Sequence, residues 1–222
     1  MRLRKRHIAS SYLPDRYRYW YSLSKLAMDP LYDSVPAAFA DNRAPILDLG
    51  CGIGLLLHCL RASGSQSSYV GVDTDADKIE AARSASERGG HADAAFDVCD
   101  LSERFPKHEG SVALLDVLQY LPPDAHEPLI SRAAQCVSRD GRLVIRTGLA
   151  DNSWRSSLTR ANDRFGHWIG WMKTSFKAQP SAADLAAVLR RHGLEADIKP
   201  LWGRTPFNNW LVIARRSASA AA

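Results

Sequence analysis

The chain has 222 residues, 45% of them hydrophobic and 24% charged, the composition of one folded globular domain. Disordered, collagen-like and coiled-coil classes are excluded, and no stretch approaches the roughly 20 apolar residues of a membrane helix. The net charge of +5 is laid out unevenly: Lys/Arg outnumber acids seven to one in residues 1–25 and twelve to five in 146–222, whereas acids outnumber them eighteen to ten in 26–145.

In chain order, Met1-Arg-Leu-Arg-Lys-Arg-His is basic like the first part of a signal peptide. Tyr12-Leu-Pro-Asp-Arg-Tyr-Arg then stands where an apolar core would be required, so the expectation is a cytoplasmic protein. Arg16 to Lys25 reads as a helix on which Arg18, Tyr21 and Lys25 share a face. Pro45 to Leu49 is a short apolar run ending at glycines, a buried strand. Gly54 to Arg61, with Leu55, Leu56, Leu57, Cys59 and Leu60, starts a buried helix. Ser68 to Asp73 is a second strand. Asp75 to Arg88 is a helix that Asp75 can cap, with Ile79, Ala82 and Ala85 as its apolar stripe. Ala94 to Val98 and Gly110 to Asp116 are the third and fourth strands. Asp124 to Val137 is a helix with Leu129, Ala133 and Cys136 on one side, and Gly141 to Arg146 is a fifth strand. After 147 the rhythm changes. Residues 151–177 are rich in Trp, Arg, Ser and Asn and carry no strand pattern. Ser181 to Arg191 is helical, and Leu194–Leu201 and Trp210–Ala214 are two late strands joined by a short loop. Ser217 to Ala222 reads as a disordered tail.

Strands alternating with helices of this length imply βαβ units. The expected fold class is therefore α/β: a doubly wound Rossmann-like sheet, mostly parallel with an antiparallel edge strand, and helices on both faces. Cys51, Cys59, Cys99 and Cys136 form no Cys-x-x-Cys pair and no zinc-ligand spacing, so they read as reduced thiols and no metal is expected. Aromatics follow the charge. All six tryptophans (Trp20, Trp154, Trp168, Trp171, Trp202 and Trp210) and four of seven tyrosines lie in the basic flanks, which suggests two tasks on one fold.

The chemistry centres on Asp48-Leu-Gly50-Cys51-Gly52-Ile-Gly54 at the end of the first strand. Glycines before a helix let a ligand touch backbone amides at its N-terminus. A dinucleotide fingerprint would need its third glycine at Leu55, and the Lys-Ser/Thr pair of a phosphate cradle is missing. Asp48 would repel a pyrophosphate and suit a cationic ligand.

This stretch closely resembles motif I of class I S-adenosylmethionine-dependent methyltransferases, and the resemblance extends over residues 44–147. It implies that Asp48, Gly50, Cys51, Gly52 and Gly54 approach the amino-acid end of S-adenosyl-L-methionine, which leaves as S-adenosyl-L-homocysteine. Asp73, with Thr74, matches the acid that accepts the ribose hydroxyls. Asp100, with Leu101, matches the acid at the adenine amine, although Asp97 competes for that role. Asp116 and Val117, in Leu115-Asp-Val-Leu-Gln-Tyr-Leu-Pro, match the motif bordering the methyl-donor end, and Tyr120 lies there too. Residues 44–216 would form the methyltransferase domain, with an acceptor-side insertion at about 151–177 and an N-terminal helical lid at 1–43.

For the flanks, Lys25 is expected to bind the cofactor carboxylate. Tyr21, Trp168 and Trp171 are candidate acceptor-binding residues, and His167 and Tyr120 candidate bases for a phenol. Basic flanks favour an anionic or aromatic small molecule, free or carried on an acidic acyl carrier protein. Nucleic acid is not expected, because Asp116-Val-Leu-Gln lacks the pattern of base-amine methyltransferases. Lys25-Leu-Ala-Met-Asp-Pro-Leu-Tyr and Thr205-Pro-Phe-Asn-Asn-Trp are similar to segments of methyltransferases from aryl-polyene pigment clusters, implying a hydroxyaryl acceptor. Alternatives are a nucleic-acid or protein methyltransferase and a non-catalytic protein that only binds the cofactor.

Overall fold

A computed structural model describes residues 2–150, 179–203 and 208–217. The insertion expected at about 151–177, with His167, Trp168 and Trp171, lies outside the described residues, as does the tail beyond Ser217.

Three helices come first: α1 (Arg2–Ser10), α2 (Arg16–Met28) and α3 (Leu31–Ala38). The alternating region follows as β1 (Ile46–Leu49), α4 (Leu55–Ala62), β2 (Tyr69–Asp73), α5 (Ala76–Arg88), β3 (Ala94–Val98), β4 (Ser111–Leu115), a 3₁₀ turn at Leu118–Tyr120, α6 (Pro123–Gln135) and β5 (Arg142–Gly148). After the undescribed segment come α7 (Ala182–Arg191), β6 (Leu194–Pro200) and β7 (Asn209–Arg216). The expected strands and helices are present, with ends shifted by a few residues. The periodicity did not separate out α1 and α3.

Among the described residues the sheet has seven strands in the order β3-β2-β1-β4-β5-β7-β6. β1 to β5 are mutually parallel, and β7 runs antiparallel between β5 and the edge strand β6. Both faces are covered, which is why β1 is buried at every position. Leu47 and Leu49 face α6 and α7, against Leu129, Ala133, Leu185 and Leu189. Ile46 faces the other way, toward Leu56, Leu57 and Leu60 of α4 and Ile79 of α5. This two-residue alternation follows from the pleat. An isolated helix of eight residues is not stable in water. α4 persists because all six residues from Leu55 to Leu60 are buried, and each fully buried leucine contributes roughly 2 kcal/mol.

Capping sets the helix starts. Asp75 accepts from the amides of Asp77 and Lys78, as its position predicts, while Asp15 and Ser181 cap α2 and α7. The N-terminal helices dock on α4 and α5 through Ile8, Tyr12 and Leu26, which pack with Leu55, Cys59 and Ala85. The Tyr12 hydroxyl donates to the Ile53 carbonyl at 3.0 Å, placing the N-terminal segment beside the glycine loop. All four cysteines are free.

Candidate functional site

β1 pairs with β2 on one side and β4 on the other, so the strand order reverses direction at β1 and β4. In an open parallel sheet, a crevice forms at such a switch point outside the carboxyl ends of the strands. Register brings the expected residues there together: Leu49 is level with Val72 and Leu114, Asp73 with Val98, and Leu115 with Arg146.

The glycine loop occupies that edge. Gly50, Gly52 and Gly54 have φ of 76°, 56° and 76°. A Cβ on Gly50 would lie 2.4 Å from Val117 Cγ2, so the turn after β4 packs directly on the loop. Gly52 differs: nothing lies within 4 Å of its missing Cβ, and it borders open space. Two substitutions separate these roles. Gly50→Ala combines left-handed strain with a clash and is expected to lower stability by about 3 kcal/mol. Gly52→Ala adds only strain, about 1 kcal/mol, yet should weaken cofactor affinity the more steeply for its effect on folding. Urea unfolding and calorimetry would check the pair.

Asp73 joins the loop to the second strand. Its Oδ2 accepts the Gly52 amide at 2.9 Å and its Oδ1 the Asp75 amide at 3.0 Å. Each oxygen retains a lone pair for a ligand hydroxyl. The same contact disfavours a dinucleotide, because the Gly52 amide that a phosphate would need already donates to a carboxylate.

Asp48 lies beneath the loop, 2% exposed. Tyr69 donates to its Oδ2 at 2.5 Å, and its Oδ1 has no partner. Burial raises its pKa to about 7, with the Tyr69 hydrogen bond opposing and the Asp73 charge reinforcing. An orphaned buried carboxylate oxygen suits a cationic group, and the open space at Gly52 suits a ligand over the loop. The residues present therefore fit a cationic ligand such as S-adenosylmethionine.

The remaining candidates divide. Asp100 is exposed, and Ser102 holds its carboxyl below the usual range through side-chain and backbone hydrogen bonds. Asp97, its rival, is tied to Arg104 at 2.7 Å. Leu101 packs against the core and Thr74 is exposed. Cys51 turns inward, its thiol close to Gly71, so only its backbone is available to a ligand. Lys25 is partly exposed, with Nζ 3.9 Å from Asp29. Tyr21 is exposed and stacked on Tyr17, and Tyr120 is half-buried in the 3₁₀ turn.

Sequence reasoning missed Arg146, Asp29 and Tyr32. The Arg146 guanidinium is buried and bonds Asp116, with Asp29 3.4 Å away. Burial alone would lower its pKa, but the two carboxylates outweigh that and raise it. The Tyr32 hydroxyl is pushed up by desolvation, with Tyr21, Asp29 and Asp116 nearby. A signal existed: an arginine within the apolar run Leu143-Val-Ile-Arg-Thr must find an anion or pay heavily in desolvation. Asp116 itself is a non-glycine residue at φ 61°, a conformation that concentrates at functional sites.

Residues 46–141 match the methyltransferase-domain family Methyltransf_25. No curated protein matches the chain by sequence. Among solved structures, magnesium protoporphyrin IX methyltransferase from Synechocystis PCC 6803 with bound SAH is similar with a TM-score of 0.65 and 21% identity, covering 84% of this chain and 81% of that one. An O-methyltransferase family protein from Burkholderia thailandensis gives a TM-score of 0.69 and 23% identity over 94% of this chain and 62% of that one. The neocarzinostatin O-methyltransferase NcsB1, in complex with S-adenosylmethionine and 2-hydroxy-5-methyl naphthoic acid, gives a TM-score of 0.61 and 18% identity over 92% of this chain and 63% of that one. The chain thus spans about three fifths of the last two. At these identities the likeness is one of fold.

Proposed function

We propose that this chain is a class I S-adenosylmethionine-dependent methyltransferase, a reading that its match to a methyltransferase-domain family over residues 46–141 and its fold support, and that it transfers the cofactor's methyl group to a small-molecule acceptor. The observation that carries this reading is the clamp of Asp73 on the Gly52 amide. It places a carboxylate at the loop where a dinucleotide would need a free donor.

When bound, the cofactor supplies an electrophilic sulfonium methyl, which an acceptor oxygen takes while the sulfur keeps the bonding pair. The chain's own residues do the rest. Asp73 accepts the ribose hydroxyls, with Thr74 beside it, and Asp100 and Leu101 flank the adenine. Asp48 offsets positive charge from below, and Gly50, Cys51, Gly52 and Gly54 present backbone. Lys25 holds the carboxylate. Asp116 and Val117 wall the donor end. Helices α1 to α3 form the lid, and alignment under it, with water excluded, supplies much of the rate.

The acceptor is a hydroxyaryl compound of aryl-polyene type, free or on an acyl carrier protein. Basic, aromatic flanks support an anionic aromatic ligand, with Tyr21, Trp168 and Trp171 as its contacts. A phenol, with a pKa near ~10, is protonated at neutral pH, so His167 receives its proton, or Tyr120 does so as its tyrosinate. Four free thiols support a reducing, cytoplasmic setting, and no helix among the described residues is long and apolar enough to cross a membrane.

The test is transfer of labelled methyl to hydroxyaryl acids, free and carrier-bound, read by mass spectrometry. Label on the acceptor oxygen is expected, with His167→Ala losing turnover and keeping cofactor affinity. Label appearing only in RNA or protein, or cofactor binding without transfer, would overturn the small-molecule reading.

A further inference from the structure

Arg146 is not among the cofactor contacts above, yet it bonds two regions of the chain that carry them. Its side chain is 7% exposed, and carboxylates reach it from distant parts of the chain. One is Asp116, in the turn after β4. The other is Asp29, between α2 and α3, whose Oδ2 lies 3.4 Å from Nη2.

Each carboxylate controls a different piece of the site. Asp116 is held in its left-handed conformation by the guanidinium, by Gln119 at 3.4 Å, and by its own amide donating to the Arg146 carbonyl at 2.9 Å. The next residue, Val117, seats against Gly50. Moving Asp116 therefore moves the side chain that packs on the glycine loop. Asp29 closes α2, its amide donating to the Lys25 carbonyl at 2.9 Å. Its Oδ1 also accepts the Leu31 amide at 3.0 Å, at the start of α3. Moving Asp29 therefore moves the junction of both helices. Lys25 reaches the same carboxylate from one turn back.

We propose that Arg146 is a positioning residue that couples occupancy of the cofactor site to the seating of α2 and α3. The guanidinium joins the wall of the donor end to the N-terminal helices, so a ligand that fixes the glycine loop and Val117 also restrains Asp29. The proposal rests on the cofactor reading above. Its thermodynamic content is reciprocal: seated helices favour the ligand by the same factor as the ligand favours seated helices.

Hydrogen exchange of the full chain, with and without S-adenosylhomocysteine, tests it. In the wild type, the ligand is expected to slow exchange both in residues 50–62 and in 29–38. In Asp29→Asn the slowing at 50–62 should remain while that at 29–38, which no cofactor contact above reaches, is lost, and calorimetric affinity should fall about fivefold, at the lower end of typical coupling. A purely structural role for Asp29 would speed exchange at 29–38 equally with and without ligand, and that result overturns the proposal. Arg146→Lys should keep part of the ligand-induced slowing that Arg146→Met abolishes. If Arg146→Met fails to fold, Asp29→Asn carries the test, because Asp116 still pairs the guanidinium. Wild-type protection at 50–62 without any at 29–38 overturns the coupling alone. No protection at either segment overturns the cofactor reading, and the proposal with it.

Discussion

Replacing Asp73 by alanine is expected to weaken S-adenosylhomocysteine binding about a hundredfold. Two effects add. Ribose hydroxyls would lose a charged acceptor, and such hydrogen bonds are worth roughly 1.5–3 kcal/mol each. The loop would also lose the acceptor that holds the Gly52 amide at 2.9 Å and the Asp75 amide at 3.0 Å. Asp73→Asn separates the two contributions. It keeps one acceptor oxygen for a loop amide and a ribose hydroxyl but loses the second oxygen and the charge, so an intermediate loss of about tenfold is expected. Calorimetry gives the affinities, and the melting temperature of the free protein reports the loop. Unchanged affinity in Asp73→Ala would remove this carboxylate from the cofactor site.

The second large effect concerns pH and Asp48. Its native pKa of about 7 stands above the ordinary 3.8. Between those values the native carboxyl keeps a proton that the unfolded chain has released. The free protein therefore loses stability as pH rises from about 4 to about 7 from this group, and its contribution is flat above. A cation bound beside Asp48 would favour the ionised form and lower that pKa, so binding should release a proton below about pH 7. Affinity for the cofactor should then rise with pH across the window from 5 to 7, approaching tenfold per unit at its steepest. Asp48→Asn should flatten that slope and make the free protein more stable than wild type above pH 7, with the advantage vanishing near pH 4. Calorimetry in buffers of different ionisation enthalpy counts the protons. The same slope in Asp48→Asn would assign the titration elsewhere.

The sequence alone was a good guide wherever a local rule operates. Asp75 caps α5 because a side-chain acceptor before a helical stripe has few other uses, and Ile79, Ala82 and Ala85 are buried as their spacing predicts. The glycine run had to follow a strand and open a helix, and Gly54 does open α4 in a left-handed conformation. Cys51 was a weaker inference. Motif membership placed it at the ligand, and the structure turns its thiol toward Gly71, which leaves only its backbone to the loop.

What composition and spacing determined was the sheet, its helices and the row of Asp48, the glycines and Asp73 at one edge. Those residues are close in sequence or sit at strand ends, and strand direction alone brings them together. Only the tertiary structure decided the partners of Arg146. Asp29 precedes it by 117 positions and Asp116 by 30, and no local pattern says which carboxylate a buried guanidinium will find. Burial settles that, since a charge removed from water must take whatever anion the packing brings within reach.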